Sequence, residues 1–178
     1  MCGMSFRPNS RWVKYDPKTK LWIPTRKRIY LYWFKFLQHA ERDPDYKVQW
    51  GKYDDWGGKE VVLSTKFDEW WSERWLDLFA IENEGDNPRY PLSTKQPKAD
   101  GIRYALLVYE NLHRGSYWEI GEYIAKKEKS GRGLFVSSFK EHDDLKDYTD
   151  KNYVQSKVAR YKKAATKYLS NVSKGQFP

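Results

Sequence analysis

Gly115-Ser116-Tyr117-Trp118-Glu119-Ile120-Gly121-Glu122-Tyr123-Ile124-Ala125 is the most legible stretch of this chain. Ser116 stands three residues before Glu119, the spacing at which a hydroxyl and a carboxylate cap each other's backbone N–H groups at a helix start. Tyr117, Ile120 and Ile124 then follow the i, i+3, i+4 rhythm of a buried helix face. Upstream, Tyr104, Leu107, Val108 and Leu112 mark another helix, which Gly115 ends, since a residue without Cβ suits a left-handed C′ position. Two helices and a Gly-Ser turn therefore occupy 102–125.

Working outward, residues 126–133 form a basic stretch punctuated by glycines, with Arg132 between Gly131 and Gly133, and Leu134-Phe135-Val136 and Ser137-Ser138-Phe139 read as a short strand. The acidic run from Glu141 to Asp147 follows. The last helix is expected from Asn152 to about Val172, with Val154, Val158, Tyr161, Ala165, Leu169 and Val172 inward. Gln155, Lys157, Arg160, Lys162, Lys163, Thr166 and Lys167 take the rest of its circumference, and Asn152–Val172 contains no Asp or Glu.

The phrase from Ser116 to Ile124 resembles the first two helices of a helix-turn-helix DNA-binding domain, in which a capped helix carries a small residue after an Ile and packs on the helix before it. The resemblance covers the C-terminal part of the chain. It implies that the last helix contacts duplex DNA, with Gln155 reading a base, Arg160 contacting phosphates or bases, and Lys157, Lys162, Lys163 and Lys167 on phosphates. It departs from the family in one respect: about 25 residues separate Ala125 from Asn152, where a turn of three or four is usual. The basic stretch inside that insertion reads as a wing, with Arg132 entering a minor groove, or as a solvated loop. Readers of this class commonly pair across two half-sites, which implies a homodimer.

Toward the N-terminus, Arg11–Tyr15 and Leu21–Ile23 flank Asp16-Pro17-Lys18-Thr19-Lys20 and predict a hairpin. Pro24 stops it, and Thr25 is placed to cap a helix from Arg26 to about Glu41 with Ile29, Tyr32, Trp33, Phe36, Leu37 and Ala40 inward. Residues 46–59 show no helical period and read as an ordered loop, with a short strand over 60–63. Its rings Tyr46, Trp50, Tyr53 and Trp56 suggest an alternative function, anchoring a protein partner. Thr65 and Asp68 approximate a capping box ahead of Phe67, Trp70, Trp71, Trp75, Leu78 and Phe79. That stripe reads as core; its other reading is a stacking platform for bases. Gly85, Pro88, Pro91 and Pro97 break the pattern. The expected organisation is an aromatic-rich helical module over 1–82, a linker over 83–101 and a nucleic-acid-binding module over 102–178. In class it is mainly α with small β elements, a helical N-terminal module followed by a helix-turn-helix or winged-helix-like C-terminal one.

Charge agrees with a polyanionic partner. The chain has 178 residues and a formal net charge of +9. Residues 1–50 hold eleven basic and four acidic side chains, residues 151–178 seven and none, while the two segments between are slightly acidic. The basic excess is thus terminal, and Arg26-Lys27-Arg28 offers a second electrostatic contact. Nine Trp, 14 Tyr and 8 Phe supply the apolar mass of a compact core; so many Trp, Tyr and Lys on a short chain resemble phage or mobile-element products, which implies a small regulatory factor.

Little points to catalysis or cofactors. His39, His113 and His142 lack metal-ligand neighbours, and Cys2 is the only cysteine. No phosphate cradle or nucleophile elbow occurs. Asp54-Asp55 and Asp143-Asp144 with Glu60 or Glu69 would be the carboxylates of a magnesium-dependent nuclease, but adjacent carboxylates on a strand face opposite sides. The expectation is a non-enzyme without cofactor or metal. Without an apolar run of membrane length or a secretory leader pattern, it is expected in the cytoplasm and off the membrane.

Overall fold

The computed structural model describes residues 13–83, 85–94, 97–128, 133–135 and 148–178, the first three of the last range as backbone. They form a mainly helical protein with one two-stranded antiparallel sheet. The chain divides into two units: residues up to Pro97 together with Leu169–Pro178, and Lys98–Tyr168.

In the first unit, β1 (Val13–Asp16) pairs with β2 (Leu21–Pro24) in the register Val13 to Pro24 and Asp16 to Leu21. Asp16 shapes the turn: its carboxylate accepts from Thr19 Oγ1 at 2.8 Å, and Lys20 takes φ 57° to close it. Arg11 and Trp12, expected in the first strand, lie outside the described residues. Trp22 exchanges two backbone hydrogen bonds with Ile81, at 2.8 and 3.0 Å, tying the hairpin to the chain beyond α3 (Phe67–Phe79).

Helix α1 (Lys27–Arg42) buries Ile29, Tyr32, Trp33, Phe36, Leu37 and Ala40 as expected, and Tyr30 and Phe34 besides. Its buried face is wider because Tyr30 and Phe34, four residues apart, both meet rings of the segment Phe67–Phe79, while Trp33 and Phe36 meet Phe177. Two caps differ from expectation. Arg26, not Thr25, holds the N-cap of α1, and Lys66, not Thr65, that of α3; neither side chain bonds the helix end. Asp68 therefore lies in the first turn of α3, where its charge faces the positive end of the helix dipole.

The stretch 46–63 differs more. A 3-10 helix spans Trp50–Trp56, and α2 occupies Gly58–Ser64 where a loop end and a strand were expected. Gly57 and Gly58, at φ 95° and 74°, make the break between them. A Cβ at Gly57 would come within 2.9 Å of the Val61 side chain. The β-branched pair Val61-Val62 favours a strand locally, but burial of Val62 and a bond of 2.7 Å from Gln38 Nε2 to its carbonyl hold it helical.

The core of this unit is a chain of rings. Trp56 sits 4.6 Å from Trp70, 5.1 Å from Tyr53 and 5.3 Å from Trp33, centroid to centroid. Trp33 Nε1 donates to the Tyr53 hydroxyl at 2.9 Å, which donates to the carbonyl of Val172 at 2.6 Å. Phe177 stacks on Trp33, and its carbonyl accepts from Ser93 N. The Pro-rich stretch expected as a linker is partly in this core: Tyr90 is buried against Trp33, Tyr53, Trp56 and Phe79.

The second unit holds α4 (Ala99–Glu110), a 3-10 turn at Leu112–Arg114, α5 (Tyr117–Lys127) and α6 (Tyr148–Val172) up to Tyr168. The capping box forms: Ser116 Oγ accepts from Glu119 N, and Glu119 Oε2 accepts from Ser116 N at 2.6 Å. Tyr104, Val108, Ile120, Ile124, Ala125, Phe135, Val154 and Val158 make its core. Helix α4 stops at Glu110, earlier than expected, because Leu112–Arg114 tighten into the 3-10 turn before Gly115 at φ 118°. Helix α6 begins at Tyr148, before the expected Asn152.

Candidate nucleic-acid interface

Helix α6 has 25 residues, about 37 Å at 1.5 Å per residue. Val154, Val158, Ala165, Leu169 and Val172 are fully buried on one side. At 100° per residue, Arg160, Lys163 and Lys167 fall within about 60° of arc on the opposite side, and all three are exposed. Among the described residues none of the three has an ion-pair partner. This stripe advances one cation every five or so ångströms along the axis.

The other candidates on α6 stand apart from the stripe. Lys157 and Lys162 occupy opposite shoulders, Lys157 Nζ over the Tyr153 ring at 5.2 Å and Lys162 Nζ over Tyr117 at 5.7 Å. Gln155 is half-buried on the shoulder that Lys162 shares, away from the outermost line. Tyr161 and Tyr168 border the buried side, and burial raises both phenols above their ordinary value, the Arg160 charge offsetting part of the rise at Tyr161. Both stay neutral at physiological pH.

Helix α6 is seated by α5. A Cβ on Gly121 would overlap Val154 Cγ1, so this glycine lets the two helices approach closely. Gly121 thus packs toward the last helix. The end of α5 is pinned to α4 through Glu128, whose Oε1 accepts from Tyr104 OH at 2.6 Å and Arg103 Nη2 at 2.9 Å. Burial and that carboxylate raise the Tyr104 phenol. The same hydroxyl accepts from Leu134 N at 2.8 Å, and Phe135 is fully buried. Arg132 and the acidic run 141–147, with His142, Asp143 and Asp144, lie outside the described residues.

In the first unit, Arg26, Lys27 and Arg28 are exposed. Lys27 Nζ bonds Asp68 Oδ1 at 2.5 Å and lies over the rings of Phe67 and Trp71 at 5.6 and 5.9 Å.

Two of the four rings of the aromatic loop are not at the surface. Tyr53 and Trp56 are fully buried, so they present no ring to a partner. The stretch is kinked at Tyr53, at φ −123° and ψ 18°, and the rings of Tyr53 and Trp56 both pack on Trp33, that of Trp56 on Trp70 besides. Trp50 is half-buried and its Nε1 donates to Glu41 Oε2 at 2.7 Å; Tyr46 is half-buried too. Asp55 is engaged by Arg89 Nε at 2.6 Å and by Tyr90 OH at 3.2 Å; burial, and then the Asp55 carboxylate, push the Tyr90 phenol up to about 12. Among the described residues no three of His, Cys, Asp and Glu are grouped to hold a metal ion, and no helix is long and apolar enough to cross a membrane.

Comparison with protein-family models, with characterised proteins and with solved structures finds no match.

Proposed function

We propose that this protein binds duplex DNA through the outward face of α6. The observation that carries the reading is the stripe of Arg160, Lys163 and Lys167, exposed and without ion pairs among the described residues, on a helix whose opposite side is fully buried. A helix with interspersed charges would be an ordinary solvated surface. Here Lys151–Val172 contains six cations and no acidic side chain, and a polyanion with one charge per about 1.7 Å of axis is the natural complement. The pair α4 and capped α5 would support α6 as the early helices of a helix-turn-helix support its recognition helix. Lys157 and Lys162 on the shoulders would contact the strands either side of a groove, with Gln155 the polar group for a base edge.

The test is fluorescence anisotropy of a labelled duplex with the full chain over a series of salt concentrations. If the five cations on Lys157–Lys167 each neutralise a phosphate, log K falls with log salt at a slope of about −4.5. A flat salt response, or no binding to any duplex at low salt, overturns the reading.

A further inference from the structure

The hairpin and the start of α1 concentrate positive charge. Between Val13 and Arg28 stand Lys14, Lys18, Lys20, Arg26, Lys27 and Arg28 against Asp16 alone, and Asp16 is already bonded inside its own turn. Beside this face lies a cavity of about 270 Å³. Trp71, Trp75, Ile23 and Pro24 wall it, and Lys14 and Lys27 contribute cations.

The two indoles are near-parallel, their planes 9° apart and centroids 6.2 Å apart. Trp71 is fixed from behind, stacked on Phe79 at 5.4 Å and in contact with Tyr30. Trp75 is half-buried, and among the described residues its indole N–H has no hydrogen-bond partner. A ring backed by the core beside solvent-exposed cations is the arrangement that stacks a base and holds its phosphate. Lys14 has no ion-pair partner among the described residues. Lys27 is paired with Asp68, but both side chains are largely exposed, at 48% and 85%, and such a pair contributes little and exchanges readily.

We propose that this pocket receives one unstacked nucleobase of a single-stranded segment, the base against Trp75 and its phosphate on Lys14 and Lys27. A nucleotide joins a flat ring to an anion, as the pocket requires. Phosphotyrosine does so as well, but it brings one phosphate. The cations here continue past the pocket, through Lys18 and Lys20 on the turn and Arg26 and Arg28 on the helix start, which suits the repeated phosphates of a strand. This site lies wholly in the first unit and does not rest on the duplex reading of α6.

The test uses the full chain, isotopically labelled, titrated with a short oligothymidine while the indole N–H resonances are followed, with affinity read by anisotropy. The Trp75 resonance should move first. Trp75→Ala and Lys14→Glu should each weaken binding at least about fivefold, and Trp75→Phe, which keeps a ring, should weaken it less. Lys14 is an exposed strand residue, so its variant stays informative if Trp75→Ala perturbs folding. Oligothymidine affinity unchanged in Lys14→Glu and Trp75→Phe alike, or displacement by free phosphotyrosine or inorganic phosphate at the concentration of the oligonucleotide, overturns the proposal. An Arg160→Ala, Lys163→Ala, Lys167→Ala triple variant should keep oligothymidine binding while losing duplex affinity, which separates failure of one reading from failure of the other.

Discussion

Replacing Gly121 by Ala sets two effects of known size against each other. In an exposed helix interior the change stabilises by about 1 kcal/mol, because Ala restricts the unfolded chain and favours the helix. At Gly121 the new methyl would overlap Val154 Cγ1 and reach 3.7 Å from both Val154 Cβ and Val158 Cγ2. Neither valine can readily yield, since both are fully buried and a β-branched side chain in a helix has essentially one χ1 rotamer. Helix α6 must then shift away from α5, an overpacking cost of about 1–3 kcal/mol, toward its upper end for so direct an overlap. The net expectation is a loss of about 1–2 kcal/mol. Urea unfolding followed by the helical circular dichroism signal measures it, with hydrogen exchange at the Ile120 and Ile124 amides reporting on α5 itself. Adding Val154→Ala should relieve the overlap, giving a favourable coupling of about 1 kcal/mol or more in the double-mutant cycle. A Gly121→Ala protein as stable as the parent or more so, or a cycle without coupling, would refute a close crossing of α5 and α6 at this glycine.

Four further outcomes follow from particular contacts. Arg160→Ala, Lys163→Ala, Lys167→Ala should lessen the salt slope of duplex binding by about 3, because each phosphate contact contributes about 0.9; anisotropy across salt concentrations checks it. Tyr53→Phe leaves the buried Trp33 indole N–H without its partner, while the Val172 carbonyl keeps its bond from Gly175 N, and should cost about 1–3 kcal/mol in chemical denaturation. Ser116→Ala removes one half of the capping box and should cost about 1 kcal/mol by the same assay. Glu41 is held below its ordinary value of 4.5 by Lys59 and Trp50, burial opposing them. Its contribution to stability is therefore present above that value and lost as pH falls through the lower folded one, so Trp50 emission should change in acid in the parent and not in Glu41→Gln.

What could be read from residues alone divides by whether the signal is local. The Ser116/Glu119 box and the stripe of α1 depend on spacings of three and four within one helix, and both formed where the spacing placed them. Thr65 and Asp68 have the same spacing but lack the Glu or Gln that can reach back to the N-cap amide, and there the start moved to Lys66. Val61-Val62 has strand propensity, yet Gly57 and Gly58 let the chain turn and tertiary burial keeps it helical. Trp56 read as a partner-facing ring and 83–101 as a linker because the polar and Gly- or Pro-containing neighbours set the local average. The burial of Trp56 and Tyr90 depends on Trp33 and Phe79, which are distant from both in sequence. The outward stripe of α6 was legible from periodicity, whereas the cavity at Trp75 was not, because it needs Lys14 and α3 brought together.

Basic charge on this chain is carried by two surfaces of different chemistry. On α6 the outward stripe is aliphatic ammonium and guanidinium groups, and its nearest rings, Tyr153 and Tyr117, already lie under Lys157 and Lys162. Such a surface responds to phosphate density, which is greater on a duplex than on a single strand. On the hairpin side the cations border the indole of Trp75, stacked on Trp71 on one side, and a ring surface of this kind gains only from a base that has left its stack. A paired duplex offers the first surface its full charge and the second almost nothing; a single strand offers the second both partners it needs. Alanine at Trp75 should therefore alter single-strand affinity at every salt concentration with little change in slope, whereas alanines on α6 should alter the slope of duplex binding first. Charge alone, as the net value of +9 expresses it, would not distinguish the two.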